Sequence, residues 1–492
     1  MMKVKVAAVS DIEKDCVLFL DEMEIRKGVE LDRSGDGFLG KTTLPETDQA
    51  ANHVLVFMVG GLNKRWKQVI AYHFMGGFVN GEKSRDFVFH LFRLCADISL
   101  RVLCVTCDMG SSNRAMWRSL NLSSSRYSVT TCAVPNPCDN AMSLFFMADP
   151  SHVLKNVRGH LVRKDPMQVS DEIVAKYNLP SRVVSIEYVK AVLKLDAEQL
   201  KVAPNLSTLH VSNGHFTKMK VGVAVQLFRE APAAIRYLVE RKELPPEAGT
   251  TAWFFETIFK WGYTIRTARH HVVSLSLLNK IRYEEAISTL KLAVEVVESL
   301  GIGIKKVWKP CQAGVVMSTA VVLQLHDILL KKRGYTFFVT GRLAQDCLEN
   351  LFSVIRMISS VPRAYDVKNA LKIVSVSQLL KVPKNSGYEA DDSNNLVDFF
   401  SREIQDVRAE FQDPLDADDC AEVEPLSPVE SDIVAHLAGY LVKPFISANK
   451  PCSSCIQTLT ADEHALVQLK EYKQGSRNLV YVSGTVLHFV SS

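Results

Sequence analysis

Three acidic residues occupy positions where a folded chain could hold them beside a metal ion. Asp108 directly follows the apolar, β-branched run 102–107, and Asp21 follows the apolar run 16–20, so each acid meets a predicted buried strand. Glu349 lies beside the apolar stripe of a predicted helix that begins at Gly341. Hard carboxylate ligands on rigid elements are what two-metal phosphoryl transfer requires, which makes this chemistry the hypothesis to test.

Asp108 also has a simpler interpretation. The residues after it, Ser111, Ser112 and Asn113, favour a turn and the start of a helix, where an aspartate commonly bonds to the backbone. Taken alone, Asp108 is better explained as a turn residue than as a ligand. His152 carries the same ambiguity: it either touches a metal or phosphate, or is a helix-start histidine satisfied by the preceding turn around Asp149.

The order of predicted elements supports the metal hypothesis. Apolar runs predict strands at 16–23, 53–59, 68–74, 102–107 and 144–147, with a turn-rich hairpin at 25–40 and a helix at 86–98. A three-strand meander followed by helix, strand, helix and strand, with acids on the first and fourth strands, is the RNase H-like plan. We therefore predict an α/β fold with a mixed sheet flanked by helices.

Beyond this region the periodicity is helical for nearly two hundred residues, which predicts a large all-helical insertion. We assign residues 1–156 and 336–380 to the two parts of the catalytic domain and 157–335 to the insertion. Residues 381–432 are acidic and proline-containing, as in a linker, and 433–492 form a C-terminal segment.

Two other motifs are weaker than they look. Residues 35–42 match the phosphate-binding pattern G-x-x-x-x-G-K-[ST], but the preceding residues are polar hairpin rather than buried strand, and Leu44 and Pro45 make a poor first helical turn. Cys104 and Cys107 lie within one predicted strand, so they point to opposite faces and cannot chelate one ion.

A second C-x-x-C pair lies near the C-terminus. Cys452 and Cys455 could form half a zinc site with His436 or His464, but the second half of a zinc motif is missing. Free thiols are the favoured interpretation of this pair.

Composition limits the remaining possibilities. The 492 residues are 47% hydrophobic and 23% charged, with a formal net charge of +4, which is ordinary for a globular protein and permits a nucleic-acid partner without arguing for one. Eleven scattered cysteines fit a reducing compartment. We find no apolar run near the ~18 residues of a membrane span, so we expect a soluble intracellular protein and no membrane partner.

Four blocks of the sequence resemble P-element-type transposases, including the THAP-domain transposase-derived proteins of animals, and they occur in the family's order across about residues 14–375. They are Leu20-Asp21-Glu22-Met23, Cys107-Asp108-Met109-Gly110-Ser111-Ser112-Asn113, Asp149-Pro150-Ser151-His152-Val153-Leu154-Lys155-Asn156, and Gln345-Asp346-Cys347-Leu348-Glu349-Asn350-Leu351-Phe352. In that family an RNase H-like fold is interrupted by a helical GTP-binding insertion.

The resemblance implies that Asp21, Asp108 and Glu349 are the D-D-E ligands of Mg²⁺, with Asp346 as an accessory acid. It also implies GTP binding by the insertion, transposon ends and target DNA as partners, a homo-oligomer and a nuclear location. The expected reaction is DNA cleavage by metal-activated water, followed by strand transfer from the freed 3′-hydroxyl.

The family's N-terminal zinc-binding THAP domain and coiled-coil segment have no counterpart in this sequence, as expected of a truncated copy. The competing hypothesis is a catalytically silent, transposon-derived protein that binds DNA or other proteins. A genuine P-loop NTPase is a third possibility, and it would depend on Lys41.

Overall fold

A computed structural model describes most of the chain. The described residues are 2–32, 37–77, 79–126, 128–196, 201–214, 220–266, 275–380, 428–449, 456, 459–460, 480–483 and 486. The predicted linker lies almost entirely outside this part of the chain, as do Cys452, Cys455 and His464. The chain divides into two compact units, residues 1–154, 261–298 and 308–412, and residues 155–260, 299–307 and 413–492.

The strands, in chain order, are β1 (Asp15–Glu24), β2 (Glu30–Asp32), β3 (Gly37–Leu39), β4 (Lys41–Thr43), β5 (Glu46–Ala50), β6 (His53–Gly61), β7 (Lys67–Met75), β8 (Arg101–Cys107), β9 (Ala133–Asn136), β10 (Asp139–Ala148), β11 (Met167–Gln168), β12 (Val183–Val184) and β13 (Gly301–Ile302).

The α-helices are α1 (Met2–Ala7), α2 (Gly81–Asp97), α3 (Ser111–Ser119), α4 (Pro150–Val162), α5 (Asp171–Tyr177), α6 (Glu187–Leu195), α7 (Thr208–Val211), α8 (Val221–Glu240), α9 (Ala248–Ile265), α10 (Lys280–Ser299), α11 (Pro310–His326), α12 (Asp346–Ile358), α13 (Ala364–Leu380) and α14 (Pro428–Asn449). Short 3₁₀ turns cover Asp11–Lys14 and Thr340–Leu343, and a π-helical turn, Asp327–Lys332, extends α11.

The first unit is built on a six-stranded mixed sheet in the order β7-β6-β1-β8-β10-β9. Strands β1, β6 and β7 form the antiparallel meander, while β1, β8 and β10 run parallel. The central strands are buried over long continuous runs, which explains their unbroken apolar sequences. The predicted α/β fold with a mixed sheet flanked by helices is therefore confirmed.

Strand β1 is longer than the apolar pattern indicates. It continues past Asp21 to Glu24, because Glu22, Met23 and Glu24 still pair with β6. Asp21 consequently lies within a paired strand rather than at its end. Asp108, by contrast, directly follows the last residue of β8, as the sequence predicts.

The phosphate-loop motif is part of two β-hairpins. Strands β2 and β3 pair antiparallel, and the following β4 pairs with β5, so Lys41 and Thr42 lie in a strand where a phosphate loop would open a helix. The Lys41 Nζ is 2.7 Å from the Asp48 Oδ1. The predicted hairpin at 25–40 is confirmed for its strands, and its turn, residues 33–36, lies outside the described residues.

Helix α11 differs from the sequence expectation about membranes. Together with its π-helical turn, Pro310–Lys332 is long and apolar enough to cross a membrane by length and composition, with a mean hydropathy of 1.7. In the structure 72% of that apolar window is buried inside the protein. The helix packs on β10, where the Ser318 hydroxyl donates to the Ala148 carbonyl at 2.6 Å, so the composition is that of a core helix.

The described residues of the second unit are mainly helical and also contain a small sheet of two-residue strands in the order β12-β11-β13. Helix α14 lies in this unit and contributes to an apolar cluster of Ala435, Ala438, Val442 and Val482. The predicted insertion, 157–335, does not coincide with this unit, because the described residues of 261–298 and 308–335 belong to the first unit and helix α14 belongs to the second. Sequence periodicity shows that a segment is helical but not which core its apolar face joins.

Candidate active site

Strand register brings three acids to the same level of the sheet. Phe19 pairs with Thr106, so Asp21, two residues later, lies next to Asp108. Ala148 pairs with Cys107, so Asp149 lies on the other side of Asp108. Because β1, β8 and β10 are parallel neighbours, this edge gathers acids that are far apart in the sequence.

Asp108 is fixed by the start of the next helix. Its Oδ1 accepts hydrogen bonds from the Gly110 N–H at 2.8 Å and from the Asn113 Nδ2 at 2.7 Å. The turn interpretation of Asp108 is therefore correct locally, and helix α3 begins at Ser111 with Gly110 as its N-cap. The same contacts orient the half-buried carboxylate, so a turn residue and a ligand are compatible here. Asn113, which the sequence places only at the start of the following helix, is therefore also a residue of this site.

Asp21 is a half-buried carboxylate among like charges. Its Oδ1 accepts one hydrogen bond, from the Glu22 N–H at 2.9 Å, and no ion pair to it is found among the described residues. Burial raises its pKa to about 7; the charges of Asp108 and Glu349 act in the same direction, and His152 opposes them. The pKa of Glu22 is also raised to about 7, mainly by burial and to a smaller extent by the charge of Asp108.

Glu349 reaches the site from helix α12, which packs against β1. Its Oε1 is 3.6 Å from the His152 Nδ1. Within the part of the chain that the structure describes, Asp149, His152 and Glu349 form the group whose ligand atoms all lie within 4.8 Å of one another. Asp21 and Asp108 are outside that tight group but close enough for their charges to act on one another.

Asp149 is fully buried and accepts several hydrogen bonds. Its Oδ2 lies 2.9 Å from the His152 N–H nitrogen and 3.0 Å from the His152 Nδ1, and its Oδ1 accepts from the Gln345 N–H at 3.0 Å. Burial by itself would raise its pKa, but hydrogen bonds and the charge of His152 hold that pKa below its ordinary value. His152 is thus satisfied by the preceding turn and also adjoins Glu349.

Asp346 is held differently from the other acids. The Ser151 hydroxyl donates to its Oδ1 at 3.0 Å, and the Arg266 Nη2 is 3.2 Å from its Oδ2. Both carboxylate oxygens therefore bond to protein groups, and Asp346 is not a member of the tight group. Its predicted accessory role stays a prediction. Its hydrogen bond with Ser151 connects the start of α4 to the start of α12.

Comparisons with known proteins agree with this architecture. A family model described as "TNP-like, RNase H N-terminal domain" matches residues 1–121, which contain Asp21 and Asp108. "Transposable element P transposase" of Drosophila melanogaster is 23% identical in an alignment of 459 residues that covers 90% of this chain. The resemblance to P-element-type transposases is confirmed.

A solved structure, "Drosophila P element transposase strand transfer complex", shares the fold with a TM-score of 0.62 and 20% identity. That similarity covers 77% of this chain and 81% of the P-element chain, and together with the RNase H family match it shows the RNase H-like fold. The present chain spans 57% of the length of the curated P-element relative.

The donor set suits a hard divalent cation. Asp21, Asp108 and Glu349 carry carboxylate oxygens, the ligands Mg²⁺ prefers, and a cation near them would relieve the repulsion that Asp108 and Glu349 exert on Asp21. His152 adds an imidazole beside Glu349. Cys104 and Cys107, as the sequence predicts, are buried free thiols of the sheet. In the described part of the chain, these side chains are candidates for holding a cation.

Proposed function

We propose that this chain is the core of a P-element-like DDE transposase that cleaves DNA strands and transfers them with Mg²⁺. The observation that carries the proposal is that Asp21 and Asp108 lie side by side at corresponding positions of the neighbouring parallel strands β1 and β8, while helix α12, which carries Glu349, packs against β1. The similarity to a P-element transposase over 90% of the chain supports the same conclusion.

Asp21, Asp108 and Glu349 would hold the ion in this proposal. The chemistry that a bound Mg²⁺ would supply is activation of the attacking oxygen and stabilisation of the leaving oxygen of the phosphodiester. Gly110 and Asn113 orient the Asp108 carboxylate, so that it is held in one geometry before DNA arrives. Asp149 similarly fixes the ring of His152 next to Glu349.

The finer parts of the proposal follow from the resemblance. We infer that transposon ends and target DNA are the partners, that the protein acts as a homo-oligomer in the nucleus, and that the helical insertion binds GTP. A transposase must reach chromosomal DNA and hold two transposon ends, which is consistent with this set of partners. The inference that DNA is a partner is supported by the similarity to the P element transposase strand transfer complex.

A plasmid-nicking assay tests the catalytic assignment. The purified protein with Mg²⁺ is expected to nick supercoiled DNA, and Asp108→Asn, which keeps the shape but removes the charge, is expected to lower the rate roughly 100-fold or more. Asp48→Asn is the control, because Asp48 is 95% exposed on β5 and pairs with Lys41. Equal nicking by Asp108→Asn would contradict the assignment, and DNA binding by wild type without nicking would favour the catalytically silent alternative.

A further inference from the structure

One buried carboxylate connects both helices that meet at the candidate active site. Asp149 follows β10, and its own N–H donates to the Cys107 carbonyl at 2.8 Å, immediately before Asp108. Its side chain is fully buried, so its hydrogen bonds are shielded from water. Asp149 is therefore fixed to the strand end that carries Asp108.

The Asp149 side chain reaches helix α12 through a short chain of hydrogen bonds. Its Oδ1 accepts from the N–H of Gln345, the N-cap of α12, at 3.0 Å. The carbonyl of Gln345 in turn accepts from the Glu349 N–H at 3.3 Å. The first turn of α12, and with it Glu349, is thus connected to Asp149 by two consecutive hydrogen bonds.

The other oxygen of Asp149 holds helix α4. The Oδ2 accepts from the backbone N–H of His152 at 2.9 Å and lies 3.0 Å from its Nδ1. The Gln345 Nε2 is 3.2 Å from the same Nδ1, so the two helix starts also meet through their side chains. A carboxylate that fixes both a histidine ring and a helix start is a common support for ligands of a metal.

We propose that Asp149 is the positioning residue of this active site, which sets the place of Glu349 and of the His152 ring relative to Asp108. Asp149 acts through its hydrogen bonds, while Asp21, Asp108 and Glu349 bind the ion. This role rests on the proposed function, since it concerns the geometry of that same metal site. Loss of the Asp149 contacts weakens metal binding without removing a ligand.

Binding of Mn²⁺ alone, followed by the electron paramagnetic resonance signal of the free ion, tests the proposal without DNA. Asp149→Asn keeps an acceptor for the Gln345 N–H but presents a donor to the His152 N–H, so Mn²⁺ affinity is expected to fall roughly 10- to 100-fold. Asp196→Asn is the matched control: Asp196 is also buried and accepts the N–H groups of Val202 and Ala203, both at 2.8 Å. It is expected to retain wild-type affinity.

A second pair of variants does not alter the carboxylate. Gln345 has φ −83°, close to the value proline imposes, and Ala344 before it is extended, so Gln345→Pro removes the N–H with little backbone change. Gln345→Ala removes the same side chain but retains the N–H. Weaker Mn²⁺ binding by the proline variant than by the alanine variant measures the contribution of the hydrogen bond to Asp149.

The rate of DNA nicking at saturating Mn²⁺ distinguishes a residue that positions the ligands from a residue that binds the ion itself. Asp149→Asn is expected to recover most of the wild-type rate there, whereas Asp108→Asn stays inactive. Wild-type Mn²⁺ affinity in Asp149→Asn and in Gln345→Pro would overturn the positioning role but leave the proposed function intact. A wild-type protein that binds no Mn²⁺ would overturn the proposed function itself.

Discussion

At the scale of single residues, the acids of the candidate site are expected to lower the stability of the metal-free protein. Asp21 lies half-buried beside Asp108 and Glu349, and burial followed by their like charges raises its pKa to about 7. The unfolded chain, in which an aspartate titrates near its ordinary pKa of about 4, loses this proton more readily. The metal-free fold is therefore expected to lose stability as pH rises from about 4 to about 7, and the whole penalty is present above that range.

The variant Asp21→Asn tests this charge penalty. It is expected to stabilise the metal-free protein at pH 8 by roughly 1–2 kcal/mol, after allowance for solvent near a half-buried group, and to have little effect at pH 4. Thermal unfolding with a chelator present measures the difference at both pH values. A gain of equal size at pH 4 and pH 8 would show that the carboxylate charge is not its cause.

At the scale of elements, a buried ion-pair cluster joins segments that the sequence separates widely. Asp15, at the start of β1, is fully buried and binds the Nε of Arg101 at 2.8 Å and the Nε of Arg333 at 2.7 Å. The Tyr335 hydroxyl also donates to Asp15, at 3.2 Å. Strands β1 and β8 and the chain that follows α11 are thereby connected at the opposite end of β1 from Asp21.

Removal of the shared carboxylate is expected to be costly. Asp15→Ala removes the buried acceptor that Arg101 and Arg333 share and leaves them only the exposed carboxylate of Asp11, so the free energy of unfolding is expected to fall by about 2 kcal/mol. Chemical denaturation measures this change. Asp48→Ala, which breaks an exposed pair on β5, is the control and is expected to leave the unfolding midpoint unchanged. A similar midpoint for both variants would contradict a stabilising role of the cluster.

At the scale of the whole molecule, the sequence offers two candidate sites for nucleotide binding, the phosphate-loop motif and the helical insertion. The phosphate-loop motif lies in hairpins, where Lys41 bonds to Asp48 and the Thr42 hydroxyl lies 2.5 Å from that of Thr47. A phosphate cradle requires backbone N–H groups at the start of a helix, which β4 does not provide. The helical insertion is accordingly our proposal for the GTP site.

The variant Lys41→Ala distinguishes these two sites. Because Lys41 lies in β4 and faces an exposed acid, its loss is expected to leave GTP affinity unchanged in the full chain, as measured by titration calorimetry. A P-loop lysine contacts the phosphates directly, and its removal would abolish binding. Loss of GTP binding in Lys41→Ala would therefore overturn the assignment to the insertion.

The sequence by itself determined most of the main strands of the sheet, the helical region that follows them and the candidate acids. Continuous apolar runs marked β1, β8 and β10 because strands buried on both faces have no polar alternation to interrupt them. Asp108 was correctly placed at the end of β8, and the helix that carries Glu349 was recognised from its apolar stripe. Local patterns suffice for such features, because the spacing of apolar residues in a segment reflects its secondary structure and which of its faces is buried.

Only the tertiary structure decided which acids meet and what each one touches. Parallel register placed Asp149 beside Asp108, and hydrogen bonds across two helix starts gave Asp149 its contacts with Gln345 and His152. The same packing lets one oxygen of Asp346 accept a hydrogen bond from Ser151 and the other accept one from Arg266. The contacts of Asp149 with Gln345 and of Ser151 with Asp346 join residues about 200 positions apart, so they depend on strand order and on how the helices pack. The periodicity of a single sequence predicts neither.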